Sequence, residues 1–305
     1  MSGSILDCVV VGAGPAGLTA AIYLARFGRR FEVLHDFEPR AAWIPRTRNY
    51  PGFPDGVTGP ELLQRLADQA CRYGAVIRPA RVSALQVTDE GFRLEAGGKV
   101  LLARTVLLAT GVQDNEPPLP GVEEAIRHGV VRICPICDGF EAAGQAIGVI
   151  GLGDKGAREA AFLRGFSERV TLIHTGRPEA LSPDDRRAMT EARIALIETP
   201  IDSVHLDKDR VLAFAAGGQT HRFDTVYSAL GVAPRYELAV QVGARLADDG
   251  RLEVDEHQRT SVAGLYAAGD IVRGLNQIAV AVAEAAVAAV DIHNVLRRQD
   301  GQVAP

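Results

Sequence analysis

Ile5-Leu6-Asp7-Cys8-Val9-Val10-Val11-Gly12-Ala13-Gly14-Pro15-Ala16-Gly17 is the stretch on which the reading of the fold turns. An apolar, largely β-branched run ends in a turn of small residues, helix-like Leu18 to Phe27 follows, and Phe31 to His35 reads as a second strand. The order predicts a βαβ opening. Glycines at 12, 14 and 17 let backbone N–H groups approach a dinucleotide pyrophosphate at a helix N-terminus, where the macrodipole favours negative charge. Asp36 falls about 20 residues onward, where a carboxylate meets a ribose hydroxyl. The competing reading is a glycine turn that only packs a helix on a sheet, and the Asp36 spacing weighs against it.

A second unit of the same kind starts at Ala146 to Ile150, runs through Gly151-Leu152-Gly153-Asp154-Lys155-Gly156 and returns as Val170 to His174. Between the two lie a buried-strand pattern ending in a turn, Val106 to Gly111, and a proline-rich linker, Glu116 to Gly121. Gly231 and Pro234 interrupt the apolar pattern of Tyr227 to Tyr236 and mark the exit. The chain is therefore expected to be α/β, with two Rossmann-like dinucleotide-binding domains, the second inserted into the first. Residues 1–115 and 242–305 form the first and 116–241 the insertion, which carries Cys134 and Cys137.

A chain of 305 residues with 47% hydrophobic content is large enough for two ordinary domains. Its 33 basic and 38 acidic side chains give a net charge of -5, without the basic excess expected of a nucleic-acid partner. No targeting segment is read at the start, and the apolar stretch Ile278 to Val290 contains Glu284 and falls short of the roughly 20 residues that span a bilayer. No membrane partner is expected. Four cysteines argue against a secreted disulfide framework, so a reducing cytoplasm is the expected location.

Cys134-Pro135-Ile136-Cys137 is the sharpest chemical signal. Two sulfurs at this spacing form an exchangeable disulfide, and the motif can lower one thiol's pKa and so favour the attacking thiolate. Asp138 adds a carboxyl that exchanges protons with a thiolate, or that caps a helix. Half a zinc site and an inert pair are the other readings. Cys8 lies in the first strand and Cys71 in helix-like Glu61 to Tyr73, so no second close pair completes four ligands, and no metal is expected. Both outlying cysteines are expected to be small buried packing residues.

Taken together, the motifs resemble those of the low-molecular-weight thioredoxin reductase family over almost the whole chain. Besides the first glycine loop they are Asn49-Tyr50-Pro51-Gly52, Thr58-Gly59-Pro60-Glu61-Leu62, Ala109-Thr110-Gly111, Cys134-Pro135-Ile136-Cys137-Asp138-Gly139, the second glycine loop, and Thr260-Ser261 through Tyr266-Ala267-Ala268-Gly269-Asp270. The resemblance implies FAD held at Gly12, Gly14, Pro15, Ala16 and Gly17, with Asp36 near the adenosine ribose. It implies flavin-side roles for Asn49, Tyr50, Thr110, Gly111, Gly269 and Asp270, with Phe53 bordering the ring. Asn276, Gln277 and Ile278 would open the final helix, whose dipole stabilises negative charge on a reduced flavin. The family commonly has arginine where Asn276 stands.

The resemblance further implies FAD-dependent thiol–disulfide exchange with thioredoxin or a similar dithiol or disulfide, by a homodimer. Cys137 would be the flavin-proximal sulfur, Cys134 the interchange thiol and Asp138 the acid/base. The inserted loop, through Gly151, Gly153 and Gly156, would take NADPH or NADH, but Arg177 in His174-Thr175-Gly176-Arg177-Pro178 is the lone arginine near the strand end that meets a 2′-phosphate. NADPH is accordingly expected to act slowly or not at all, with NADH, ferredoxin or flavodoxin as other donors. A dithiol oxidase that delivers electrons to oxygen and a flavin redox sensor without turnover are the alternative functions.

Overall fold

The computed structural model describes residues 5–36, 38–117, 122–199, 201–206, 212–216, 218–272 and 274–302. The linker read at 116–121 lies mostly outside them. The chain opens with β1 (Leu6–Val11), α1 (Pro15–Arg26) and β2 (Phe31–His35). From Asp7 on, β1 is buried at every position, because parallel neighbours flank it on both sides and both faces are covered. Pro15 occupies the first turn of α1, where its missing N–H costs nothing. After α2 (Gly59–Arg72), capped by the Thr58 side chain, come β3 (Ile77–Pro79), β4 (Val82–Thr88), β5 (Gly91–Ala96), β6 (Lys99–Leu108) and β7 (Val112–Asp114).

The next elements are α3 (Val122–Arg127), β8 (Val131–Arg132), the one-turn α4 (Pro135–Asp138), β9 (Ile147–Gly151), α5 (Gly153–Leu163), β10 (Val170–His174), α6 (Pro183–Glu191) and β11 (Ala195–Ile197). An antiparallel trio, β12 (Ile201–Leu206), β13 (Leu212–Ala216) and β14 (Gln219–Phe223), precedes β15 (Thr225–Ala229). The chain returns through β16 (Val232–Pro234), paired with β7, then α7 (Glu237–Gln241), β17 (Leu265–Ala267) and α8 (Ile278–Gln299).

Two compact units result, one of residues 1–42, 57–113 and 233–305, the other of 43–56 and 114–232. In the first, the sheet order is β3-β2-β1-β6-β5-β4, with β17 beside the end of β6. Its core holds Val10, Ala20, Leu24, Ala285, Ala288 and Ile292, and the alanines among them let α1 and α8 come close together. In the second, five parallel strands run in the order β11-β10-β9-β15-β8.

These units differ from the expected boundaries in two places. Residues 43–56 go with the second unit: Trp43 packs on its cluster of Ala125, Val131, Ile150 and Phe223, the Arg127 guanidinium lies 5.4 Å from the Trp43 ring centre, and Arg48 reaches Glu141 at 3.9 Å. Conversely α7 goes with the first, because Gln241 Oε1 accepts from Leu85 N–H at 2.8 Å and Ala239 is buried in that core.

Two further expectations are corrected. Cys71 is exposed, one residue past the Leu62, Leu66 and Ala70 stripe that α2 turns inward, whereas Cys8 is buried. The apolar segment at 278–290 belongs to a 22-residue helix, long and apolar enough to cross a bilayer by length and composition, yet its Ala281, Ala285, Ala288, Ile292 and Leu296 are buried in the first core.

Candidate active site

Three turns converge at the C-terminal ends of β1, β6 and β17, the place where open α/β sheets receive ligands. Gly12 has φ +115°, and a Cβ there would stand 2.2 Å from the Ala109 carbonyl oxygen. A Cβ on Gly17 would stand 1.9 Å from the Gly12 carbonyl oxygen, so α1 meets β1 only as glycine permits. Gly269, at φ +82°, approaches Ala16, and Gly111 is also left-handed at φ +64°.

Gly14 differs. The nearest atom to a Cβ there is Pro39 Cβ at 3.8 Å, so protein packing does not demand glycine. It caps α1 without a side-chain bond and with no acidic residue in the first turn, the arrangement of a helix N-terminus that receives an anion. Beside it a cleft of about 520 Å³ is lined by Ala13, Leu18, His35, Asp36, Pro39 and Pro60, among others. A backbone cradle, a carboxylate at the strand end and a cleft of this size fit a dinucleotide cofactor. Asp36 also pairs with Arg81 at 3.5 Å.

Of the other expected flavin-side residues, Thr110 Oγ1 donates to the Arg235 carbonyl at 2.8 Å, and Asp270 pairs with Arg40 at 3.5 Å. Gln277 is the N-cap of α8, so Asn276 lies just before the helix rather than in it, and Arg251 Nη1 donates to Asn276 Oδ1 at 2.7 Å. Sequence reading missed Glu284, whose Oε2 accepts from Gly269 N–H at 2.8 Å and whose carboxyl is raised chiefly by burial. Its only signal was a carboxylate in an apolar run. Asn49 and Tyr50 lie in the segment that belongs to the second unit, where Thr47 Oγ1 donates to Asn49 Oδ1 at 2.8 Å and Tyr50 stacks on Phe53.

In the second unit Cys134 and Cys137 are joined in a disulfide, with Cα atoms 5.3 Å apart. Cys134 caps the one-turn α4, Pro135 is its buried first residue and Cys137 N–H donates to the Cys134 carbonyl at 3.0 Å. Asp138 ends the turn rather than capping it; its Oδ1 accepts from the Tyr227 hydroxyl at 2.9 Å. Burial raises the Asp138 carboxyl, against the pull of Arg132 and Tyr227. Ile136 and Phe140 flank the disulfide and are 52% and 79% exposed. Cys8 contrasts: burial pushes its thiol up to about 12, so it stays protonated and inert. Among the described residues no group of three or more His, Cys, Asp or Glu side chains is placed to hold a metal.

The second glycine loop is tight. A Cβ on Gly151 would stand 2.6 Å from Gly156 Cα. Gly153 N–H, at the start of α5, donates to Nε2 of the buried His174 at 3.1 Å, and Asp154 stands in the first turn. Sequence reading did not single out His174 for this. Arg177 is exposed.

A glycine cradle for a dinucleotide and a separate unit with a disulfide in a Cys-x-x-Cys turn define a disulfide oxidoreductase of the two-dinucleotide-fold class. The sequence pattern of the pyridine nucleotide-disulphide oxidoreductases matches residues 6–285, and the chain belongs to that family, in its low-molecular-weight thioredoxin reductase-like branch, with FAD as cofactor. It is 35% identical to a thioredoxin reductase of Mycolicibacterium smegmatis over 98% of this chain and 99% of that one. It is 33% identical to a bifunctional thioredoxin reductase/thioredoxin of Mycobacterium leprae, over 99% of this chain and 68% of that one. The crystal structure of a thioredoxin reductase from Streptococcus pyogenes superimposes with a TM-score of 0.89 at 26% identity, covering 97% of this chain and 100% of that one.

Proposed function

We propose that the chain exchanges the Cys134–Cys137 disulfide with that of thioredoxin or a similar protein. The observation that carries this is the disulfide itself, formed in a turn beside a half-buried carboxyl and two exposed apolar side chains. When bound, FAD supplies the two-electron carrier, held by Gly12, Gly14 and Gly17 with Asp36 at the adenosine end and Asp270 and Gln277 at the flavin end. Two electrons and two protons turn the disulfide into two thiols. Cys134, as thiolate, attacks the partner's disulfide and forms a mixed disulfide. Cys137, assigned the flavin-side position, then displaces the reduced partner and closes the original bond. Asp138 carries the proton between the departing and attacking sulfurs.

For the donor, the charge match to a 2′-phosphate is weak, and the Gly153 N–H that a pyrophosphate would use is taken by His174 with Asp154 next to it. NADPH then reduces the bound flavin slowly or not at all, and NADH, ferredoxin or flavodoxin are the competing donors. The same loop favours, as second reading, a dithiol oxidase fed by a small dithiol and drained by oxygen. Cys134→Ser and Cys137→Ser are expected to abolish disulfide turnover while FAD stays bound, and Cys8→Ser to keep both. Anaerobic stopped-flow bleaching with NADPH, NADH and reduced ferredoxin or flavodoxin identifies the donor, and rapid saturable bleaching at low NADPH would overturn the donor reading. Peroxide release from dithiols under air, without any donor, favours the oxidase.

A further inference from the structure

Arg132 and Tyr227 are register partners on the neighbouring parallel strands β8 and β15. Only Ile133 separates Arg132 from Cys134-Pro135-Ile136-Cys137-Asp138, so α4 folds back and sets Asp138 against the pair. Tyr227 is fully buried, and its hydroxyl is the polar end of a ring that otherwise fills the core of the second unit. An oxygen at that depth must find partners. It has three: Arg132 Nη1 donates to Tyr227 Oη at 3.2 Å, and the Tyr227 O–H faces Asp138 Oδ1 at 2.9 Å and the Asp138 backbone carbonyl at 3.1 Å. Arg132 Nη1 also donates to the Asp138 backbone carbonyl at 2.8 Å, and its Nε lies 3.7 Å from Asp138 Oδ2. The guanidinium has no acceptor, so Tyr227 Oη accepts from it and turns its own proton toward Asp138, whose carboxylate oxygen is the nearer of the two acceptors: cation to phenol to carboxylate.

We infer that Arg132 and Tyr227 are positioning residues for disulfide exchange, holding the Asp138 carboxylate aimed and stabilised beside Cys134–Cys137 through this guanidinium–phenol–carboxylate chain. The inference rests on the proposed role of Asp138 and extends it to two residues on the strands behind it. Three groups bear on Asp138 electrostatically: Arg132 from β8 and Tyr227 from β15 favour its charged form, and Glu141, just beyond α4, disfavours it. Glu141 is itself drawn toward Arg48 at 3.9 Å. Burial opposes ionisation most strongly. Without the two donors that opposition stands alone, and Asp138 keeps its proton to higher pH. Whether Asp138 works as acid or as base, the midpoint of the pH–rate profile that reports it therefore moves upward.

The test uses the FAD-loaded enzyme, reduced with dithiothreitol, desalted under argon and mixed with the small aryl disulfide 5,5′-dithiobis(2-nitrobenzoate) across pH 5–9. Tyr227→Phe keeps the ring and removes only the hydroxyl; its midpoint is expected to rise by about 0.5–1 pH unit, a three- to tenfold change in rate on the slope. Arg132→Gln is expected to move it at least as far, and Arg132→Lys to restore part of the difference. Asp138→Asn separates the layers. If it removes the titration and Tyr227→Phe shifts it, the inference stands. If it removes the titration but Tyr227→Phe and Arg132→Gln leave the midpoint unmoved, the positioning inference is overturned while the role of Asp138 survives. If Asp138→Asn leaves the titration intact, the assignment of Asp138 falls and takes the inference with it. Should Arg132→Gln fail to fold, the nearly isosteric Tyr227→Phe decides.

Discussion

Glu159, on α5, has one carboxyl oxygen buried without a hydrogen-bond partner, and burial together with Asp114 pushes its pKa up to about 7, against the pull of Lys155. The folded chain therefore holds a proton at this site between about pH 4.5 and 7 that the unfolded chain releases. Its contribution to stability is complete below that window and is lost as pH rises through 7. Glu159→Gln, neutral throughout, should raise stability above pH 8 by on the order of 2–3 kcal/mol and change little at pH 4, as urea-unfolding midpoints at both pH values will show. An equal effect at the two pH values would refute the assignment. At this scale the cysteine pair and Asp138 were legible in sequence, because adjacent residues share a turn. Tyr227 and His174 were not: each acts on a residue brought to it by strand pairing or a returning loop; Arg132 stands six positions before Asp138, but its bond to the Tyr227 hydroxyl comes only with the β8–β15 pairing.

Among the elements, the first glycine loop separates packing from ligand. Gly17→Ala drives a Cβ into the Gly12 carbonyl at 1.9 Å, so helix and strand must part; we expect loss of several kcal/mol and of soluble holoprotein. Gly14→Ala meets nothing nearer than 3.8 Å at an ordinary φ of -78°, so the apo fold should lose no more than about 1 kcal/mol. Its FAD affinity should nonetheless fall at least tenfold, read by flavin fluorescence during titration of apoprotein. Unchanged affinity would mean that the α1 terminus does not approach the cofactor. The strand–turn–helix order of both loops was visible because it is a local pattern of apolar runs and glycines. The full length of α8 was not, since its last turns are polar and charged while Ile292 and Leu296 still face the core.

At the level of the whole molecule, α1 and α8 pack on one another in the first unit and each keeps apolar side chains exposed, Tyr23 on the one and Val287 and Val290 on the other. We propose that these side chains support the homodimer the family resemblance implies. Sedimentation should give twice the 32.5 kDa of one chain, and Val290→Glu should lower that mass; a monomer at working concentration sinks the proposal without touching the domain assignment. The residue order alone determined that two dinucleotide-type units exist, that the second interrupts the first, and that the disulfide lies in the interruption. Those features are written in runs of neighbouring residues whose hydrophobic period and glycine spacing dictate local structure. Which unit claims residues 43–56, what occupies the N-terminus of α5, and what stands behind Asp138 were decided only by tertiary structure. Apart from the short step between Arg132 and Asp138, each depends on groups far apart in the chain, and their meeting is set by packing of whole elements, not by any preference of the segments that carry them.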